Sequence, residues 1–173
     1  QPNKSAGGTR GFVPPSTAIN ATNAADGEIS GVVIDGASNK GVALLGTASG
    51  TWTIANSQLR NVANGTIDAI TSSGSLVLTV DNCSFNNNTI GSVFSNPTGT
   101  AAHNVTVQNS SFNQSGAPTG VGEFTLTGDT TGTVGVNLTN NTVTGGGAAN
   151  RGIDILTQGT TQLTARILNN TIS

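Results

Sequence analysis

The chain has 173 residues, a net charge of −2, 34% apolar and 3% aromatic residues, and neither Met nor Tyr. That length bounds it to one domain, and so few large side chains are a poor basis for a conventional globular core. Charged residues make up 8%, no basic cluster occurs, and no apolar run reaches membrane-spanning length, so electrostatic nucleic-acid binding and a helical membrane span are excluded.

Residues 1–9, QPNKSAGGT, carry no apolar pattern and are expected to form a flexible N-terminal arm, with 10–173 as a single domain. Arg10-Gly11-Phe12-Val13 reads as a first strand, ended by Pro14-Pro15. Its counterparts are Lys40-Gly41-Val42-Ala43, Ile67-Asp68-Ala69, Val93-Phe94, Phe124-Thr125-Leu126 and Arg151-Gly152-Ile153-Asp154. Between them recur apolar-polar-apolar triplets such as Trp52-Thr53-Ile54, Leu78-Thr79-Val80, Val105-Thr106-Val107 and Val136-Asn137-Leu138. Each triplet predicts a short strand with one face inward. The last apolar residues of this set, Ile29, Ile54, Val80, Val107, Leu138 and Ile167, are spaced 25, 26, 27, 31 and 29 residues apart. A period in that range with alternation inside each unit marks a stacked β-solenoid.

Two residues after these anchors stand Gly31, Asn56, Asn82, Asn109, Asn140 and Asn169. Asn tolerates the left-handed conformation of a sharp corner, and its amide can bond to the Asn about 4.8 Å above. These residues are expected to face inward as a ladder. Five residues after the anchors stand Ile34, Leu59, Phe85, Phe112, Val143 and Ile172, an expected core column in which Phe85 and Phe112 stack. Cys83 falls in a further inward column with Ser57, Ser110, Asn141 and Asn170, which predicts a buried, inert thiol. The Gly-, Ala- and Pro-rich segments Gln114–Val121 and Gly145–Asn150 are expected to bulge outward.

This pattern resembles the right-handed parallel β-helix of the pectin-lyase-like superfamily, over nearly the whole chain. The resemblance implies an all-β, right-handed parallel β-helix of about six coils with an internal Asn ladder at the corner between second and third strands. It also directs attention to the outer face of the first-strand sheet, where Ala43, Asp68, Thr125 and Asp154 should point outward. The superfamily's paired-Asp, Gly-His-Gly and Arg-x-Lys motifs are absent here. Asp68 and Asp154 should lie about 14 Å apart, beyond the roughly 5–9.5 Å that glycoside hydrolysis needs, and are expected to be solvated surface charges. His103, the one histidine, is expected at a turn or strand edge. With one His and one Cys no Zn site of the usual ligands can be built, and no cofactor is expected. No catalytic residue is assigned.

Sequons are frequent; those at ladder positions are expected to be inaccessible, leaving Asn64, Asn104 and Asn137 as glycosylation candidates. Phe85-Asn86-Asn87-Asn88 is similar to the Phe-x-x-Asn repeats of autotransporter passengers and polymorphic outer-membrane proteins. The opening at Gln1 without a signal-peptide pattern fits a processed, exported protein or a fragment of a longer one. No capping helix pattern precedes Phe12 or follows Ile172, so the end coils are expected to be open. The expected function is therefore structural: an extracellular or cell-surface subunit that joins copies of itself head to tail through Phe12, Val13, Ile167 and Ile172, or a stalk segment of a surface adhesin. The alternative is a carbohydrate-binding or polysaccharide-degrading domain acting on surface glycans at the first-strand face.

Overall fold

A computed structural model describes residues 15–113, 122–144 and 151–173, with residue 151 described by its backbone only. The first coil is β1 (Thr17–Asn20), β2 (Ala25–Ser30) and β3 (Val33–Asp35). The second is β4 (Lys40–Gly46), β5 (Ser49–Ala55) and β6 (Gln58–Arg60). The third is β7 (Ile67–Thr71), β8 (Ser75–Asp81) and β9 (Ser84–Asn86). The fourth is β10 (Val93–Gly99), β11 (Ala102–Gln108) and β12 (Ser111–Asn113). The fifth is β13 (Gly122–Thr130), β14 (Thr133–Thr139) and β15 (Thr142–Thr144). The last is β16 (Arg151–Thr157), β17 (Gln162–Leu168) and β18 (Thr171–Ile172).

Corresponding strands pair in parallel and build three six-stranded sheets, β1-β4-β7-β10-β13-β16, β2-β5-β8-β11-β14-β17 and β3-β6-β9-β12-β15-β18. The chain is thus a parallel β-solenoid, and its six rungs amount to about five turns. No helix occurs among the described residues. Because each strand between the first and last rungs pairs with the coil before and the coil after it, the inter-coil hydrogen bonds run along the solenoid axis.

The core is a set of axial columns. In the second-strand sheet Ile29, Ile54, Val80, Val107, Leu138 and Ile167 are in register. In the third-strand sheet the column is Ile34, Leu59, Phe85, Phe112, Val143 and Ile172. Phe85 and Phe112 stack with centroids 4.8 Å apart and ring planes 2° from parallel. Small aliphatic side chains suffice here because each rests on its copy one rung away.

The corner asparagines take the left-handed conformation, with φ of 52, 50, 52, 57 and 55° at Asn56, Asn82, Asn109, Asn140 and Asn169. Gly31 occupies the same corner in the first coil, at φ 66°. Asn82 Nδ2 donates to Asn56 Oδ1 at 2.8 Å and Asn140 Nδ2 to Asn109 Oδ1 at 3.4 Å, while Asn109 Nδ2 turns to Asp81 Oδ1 at 2.8 Å. All five side chains lie on the outer rim of the corner and are exposed, which corrects the expected inward orientation. A left-handed residue reverses the strand and throws its own side chain outward; the following residue turns in. Ser57, Cys83, Ser110 and Asn141 are accordingly buried. The internal amides are those of Asn141 and Asn170, which donate to Val107 O and Leu138 O, each at 2.8 Å.

A second corner after the third strand is absent from the sequence reading. Gly36, Asn61 and Asn87 adopt positive φ there. Asn87 Nδ2 donates to Asn61 Oδ1 at 2.8 Å and Asn61 Nδ2 to Asp35 Oδ1 at 2.7 Å. The buried residue that follows is Ala37, Val62 or Asn88, and Asn88 Oδ1 accepts from Val62 N at 3.0 Å. Among the described residues the first strand is Thr17–Asn20, paired with Lys40–Ala43; the expected strand Arg10–Val13 lies outside the described residues. Pro15, just ahead of β1, contributes its carbonyl to Ser38 N at 3.1 Å. The arm 1–9, Phe12, Val13 and the segments 114–121 and 145–150 lie outside the described residues.

Candidate functional site

Among the described residues, two places bear on function. The first is a groove of about 340 Å³ on the outer face of the first-strand sheet, lined by Lys40, Asp68, Ile70, Ile90, Phe94 and Thr125 among others. Parallel pairing brings Ala43, Asp68, Phe94, Thr125 and Asp154 into one outward row. Phe94 is therefore an outward ring, half-buried against the groove floor. Asp68 is not the solvated charge expected from sequence: it is buried and forms an ion pair with Lys40 from the preceding rung. A Cβ at Gly65 would run into the Asp68 carboxylate, so the left-handed glycine (φ 72°) is what lets the carboxylate settle against the backbone. Burial holds the Lys40 amine below its usual lysine range.

The carboxylates on this face stand apart. Asp154 lies three rungs from Asp68 in the same row, about 14 Å away. Glu123, also buried, accepts a hydrogen bond from Ser92 Oγ at 2.5 Å. Thr125 Oγ1 is engaged with the backbone of Gly122, accepting from its N at 3.0 Å. Among the described residues no three His, Cys, Asp or Glu side chains gather as a metal site.

The second place is the last rung. Ile153, Ile155, Leu163, Ala165, Ile167 and Ile172 continue the inward columns of Phe124, Leu126, Val134, Val136, Leu138 and Val143. The fifth-coil members are buried, whereas Leu163, Ile167 and Ile172 are 39, 45 and 56% exposed. The expected core residue Ile172 is thus open to solvent, because no rung follows it among the described residues. At the other end Ile29 and Ile34 of the first rung are buried.

The remaining sequence candidates are placed as follows. His103 is not at a turn or edge; it is fully buried within β11, with its ring nitrogens on Thr71 Oγ1 at 2.7 Å and Ser95 Oγ at 2.8 Å. Burial alone lowers its pKa to about 4. Cys83 is buried; its thiol reaches Ile54 O at 3.5 Å and Asp81 O at 3.4 Å, and burial pushes its pKa up. Asn64 and Asn104 are exposed and Asn137 is half-exposed. The ladder sequons are exposed as well, but Asn82, Asn109 and Asn140 use their Nδ2 as ladder donors, the atom a glycan would need. The Lys40–Asp68 and Thr71–His103 partnerships join residues roughly one coil apart, and only the rung register reveals them.

No family model, curated protein or solved structure matches this chain. The class it falls in is set by the fold alone: a parallel β-solenoid repeat protein.

Proposed function

We propose that the chain is a structural subunit of an extracellular or cell-surface assembly, extended head to tail by copies of itself or built into the stalk of a surface adhesin. What supports this reading is that the last described rung keeps core columns and sheet edges which a further rung would continue. Leu163, Ile167 and Ile172 sit in core columns yet are substantially exposed, and the outer backbone edges of β16, β17 and β18 are the ends of their sheets. A further rung would restore burial to each apolar side chain, at roughly 1 kcal/mol apiece for half-exposed Leu and Ile, and pair the sheet edges. Such a contact is heterologous and does not close, so it propagates. Six rungs at about 4.8 Å give an axial repeat of roughly 29 Å.

Light scattering and electron microscopy of the purified protein test the reading, with Ile167→Asp as the blocking variant. Filaments with a repeat near 29 Å, lost in the variant while its circular dichroism is retained, are expected. Monodisperse monomer at all concentrations would sink the homopolymer.

The groove favours a second reading, a glycan-binding surface. Phe94 offers a ring face, and the Lys40–Asp68 pair offers a donor and an acceptor beside apolar walls. An oligosaccharide array tests it: binding lost in Phe94→Ala supports recognition, and turnover abolished by Asp154→Ala would convert the reading to an enzyme.

A further inference from the structure

His103 occupies an inward column whose neighbours in register are Leu76 below and Val134 above, both buried. An imidazole in an aliphatic column needs partners for both ring nitrogens. They come from two buried hydroxyls, Thr71 at the end of the third coil's first strand and Ser95 in the fourth coil's first strand. A neutral ring suits this setting, since one nitrogen donates, the other accepts, and each hydroxyl can serve either.

The same spot is where the ladder between the third and fourth coils lacks a backbone donor. Pro97 stands opposite Thr71 in the β7–β10 pair and carries no N–H. Side chains take over: Thr98 Oγ1 donates to Thr71 O at 3.2 Å, and the Thr71 hydroxyl meets His103.

We propose that the Thr71–His103–Ser95 chain is an acid-sensitive lock between the third and fourth coils, closed while the imidazole is neutral and released when it takes up a proton. A charged ring there would have no counter-ion. The charged side chains on the strands around it are Asp68 on β7, committed to Lys40 in the outer groove, and Asp81 on β8, which accepts Asn109 at the exposed corner. On β13, Asp129 is exposed and Glu123 bonds Ser92. Strands β10, β11 and β14 carry no charged side chain besides His103 itself.

The direction of the effect follows from where the proton binds. The folded ring titrates at about 4 and the free ring at 6.5. The opened chain therefore binds the proton first as pH falls. Stability from the lock is complete above pH 6.5, declines from there to about pH 4, and changes no further below. Across that window the opening equilibrium should rise about 300-fold. In a solenoid each coil contacts only its neighbours, so the opening should localise at the third–fourth interface.

As the only histidine in the sequence, His103 can be followed alone by NMR in the native protein, with no variant needed. A ring titrating near pH 4, with amide exchange in β7, β8, β10 and β11 accelerating on acidification ahead of the other strands, is the expected result. In denaturant melts at pH 7, 5.5 and 4.5, His103→Leu should lose most of the wild-type pH dependence while carrying a pH-independent cost for the stranded hydroxyls. A native ring titrating near 6.5, or wild type and His103→Leu showing the same loss between pH 7 and 4.5, would overturn the proposal.

Discussion

Truncating Phe112 to Ala tests the register on which the whole coil depends. Its ring is buried and lies flat on Phe85, with centroids 4.8 Å apart, and Val143 covers its other side. Removing it takes apolar surface out of the core and leaves a void that stacked rungs cannot collapse into without breaking their backbone ladders. The usual cost of Phe→Ala in such a site is about 3–5 kcal/mol, of which the ring pair itself accounts for about 0.5–1.5 kcal/mol. For a chain of this size each kcal/mol moves the melting temperature by about 2–4 °C, so a fall of roughly 6–20 °C is expected. Thermal and urea melts followed by circular dichroism read it, with Phe112→Leu as a volume-sparing control expected to cost much less. Phe85→Ala should cost a similar amount, and the double variant less than the sum, since the two rings are in contact. A melt shifted by less than 2 °C would mean the ring is not in the column, and the third-strand register would fall with it.

Other outcomes follow from neighbouring sites. Asn82→Gly should lose only about 1 kcal/mol, the amide ladder bond, whereas Asn82→Ala should lose a further 1 kcal/mol or so because φ of 50° strains an alanine; urea melts separate the two. Asp68→Asn leaves the Lys40 ammonium half-buried beside a neutral amide and should cost about 1–3 kcal/mol, and replacing both residues by apolar ones should recover most of it. Cys83 should resist a thiol reagent in the native protein at pH 8 and react fully in denaturant, since its thiol is buried with its pKa raised; rapid native labelling would contradict its place in the inward column.

The axial columns were legible because alternation and period are properties of the chain itself. The anchors from Ile29 to Ile167, the Phe85–Phe112 stack and the inward Ser57–Cys83–Ser110–Asn141–Asn170 row needed only spacing. The sense in which an asparagine points was not legible, since alternation carries no information through a left-handed residue: Asn82 points out while Cys83 beside it points in. The second corner did leave a trace in Asn61 and Asn87, each five residues after a ladder asparagine, but Gly36 and the lengthened intervals beyond Asn113 hide the repeat. The buried polar residues were the least legible. Asp68 and His103 look like surface residues until Lys40 and Thr71 are brought beside them from the preceding coil, more than 25 residues away in sequence, and Ser95 from the first strand of His103's own coil.

The direction of the inter-coil hydrogen bonds has a mechanical meaning. Tension along the axis stretches every bond between coils, and the coil interfaces bear that load in series, so the strength of the whole rod is that of its weakest interface. Within one interface the three sheets share the force side by side. The first interface is the most thinly joined, because β1 pairs only over Thr17–Asn20 and β2 carries a register shift between Ala25 and Gly27. A pulled rod should shed that coil first and then yield one coil at a time, dissipating work in small steps, with each shed coil free to rewind on the rung beneath it once the load is gone.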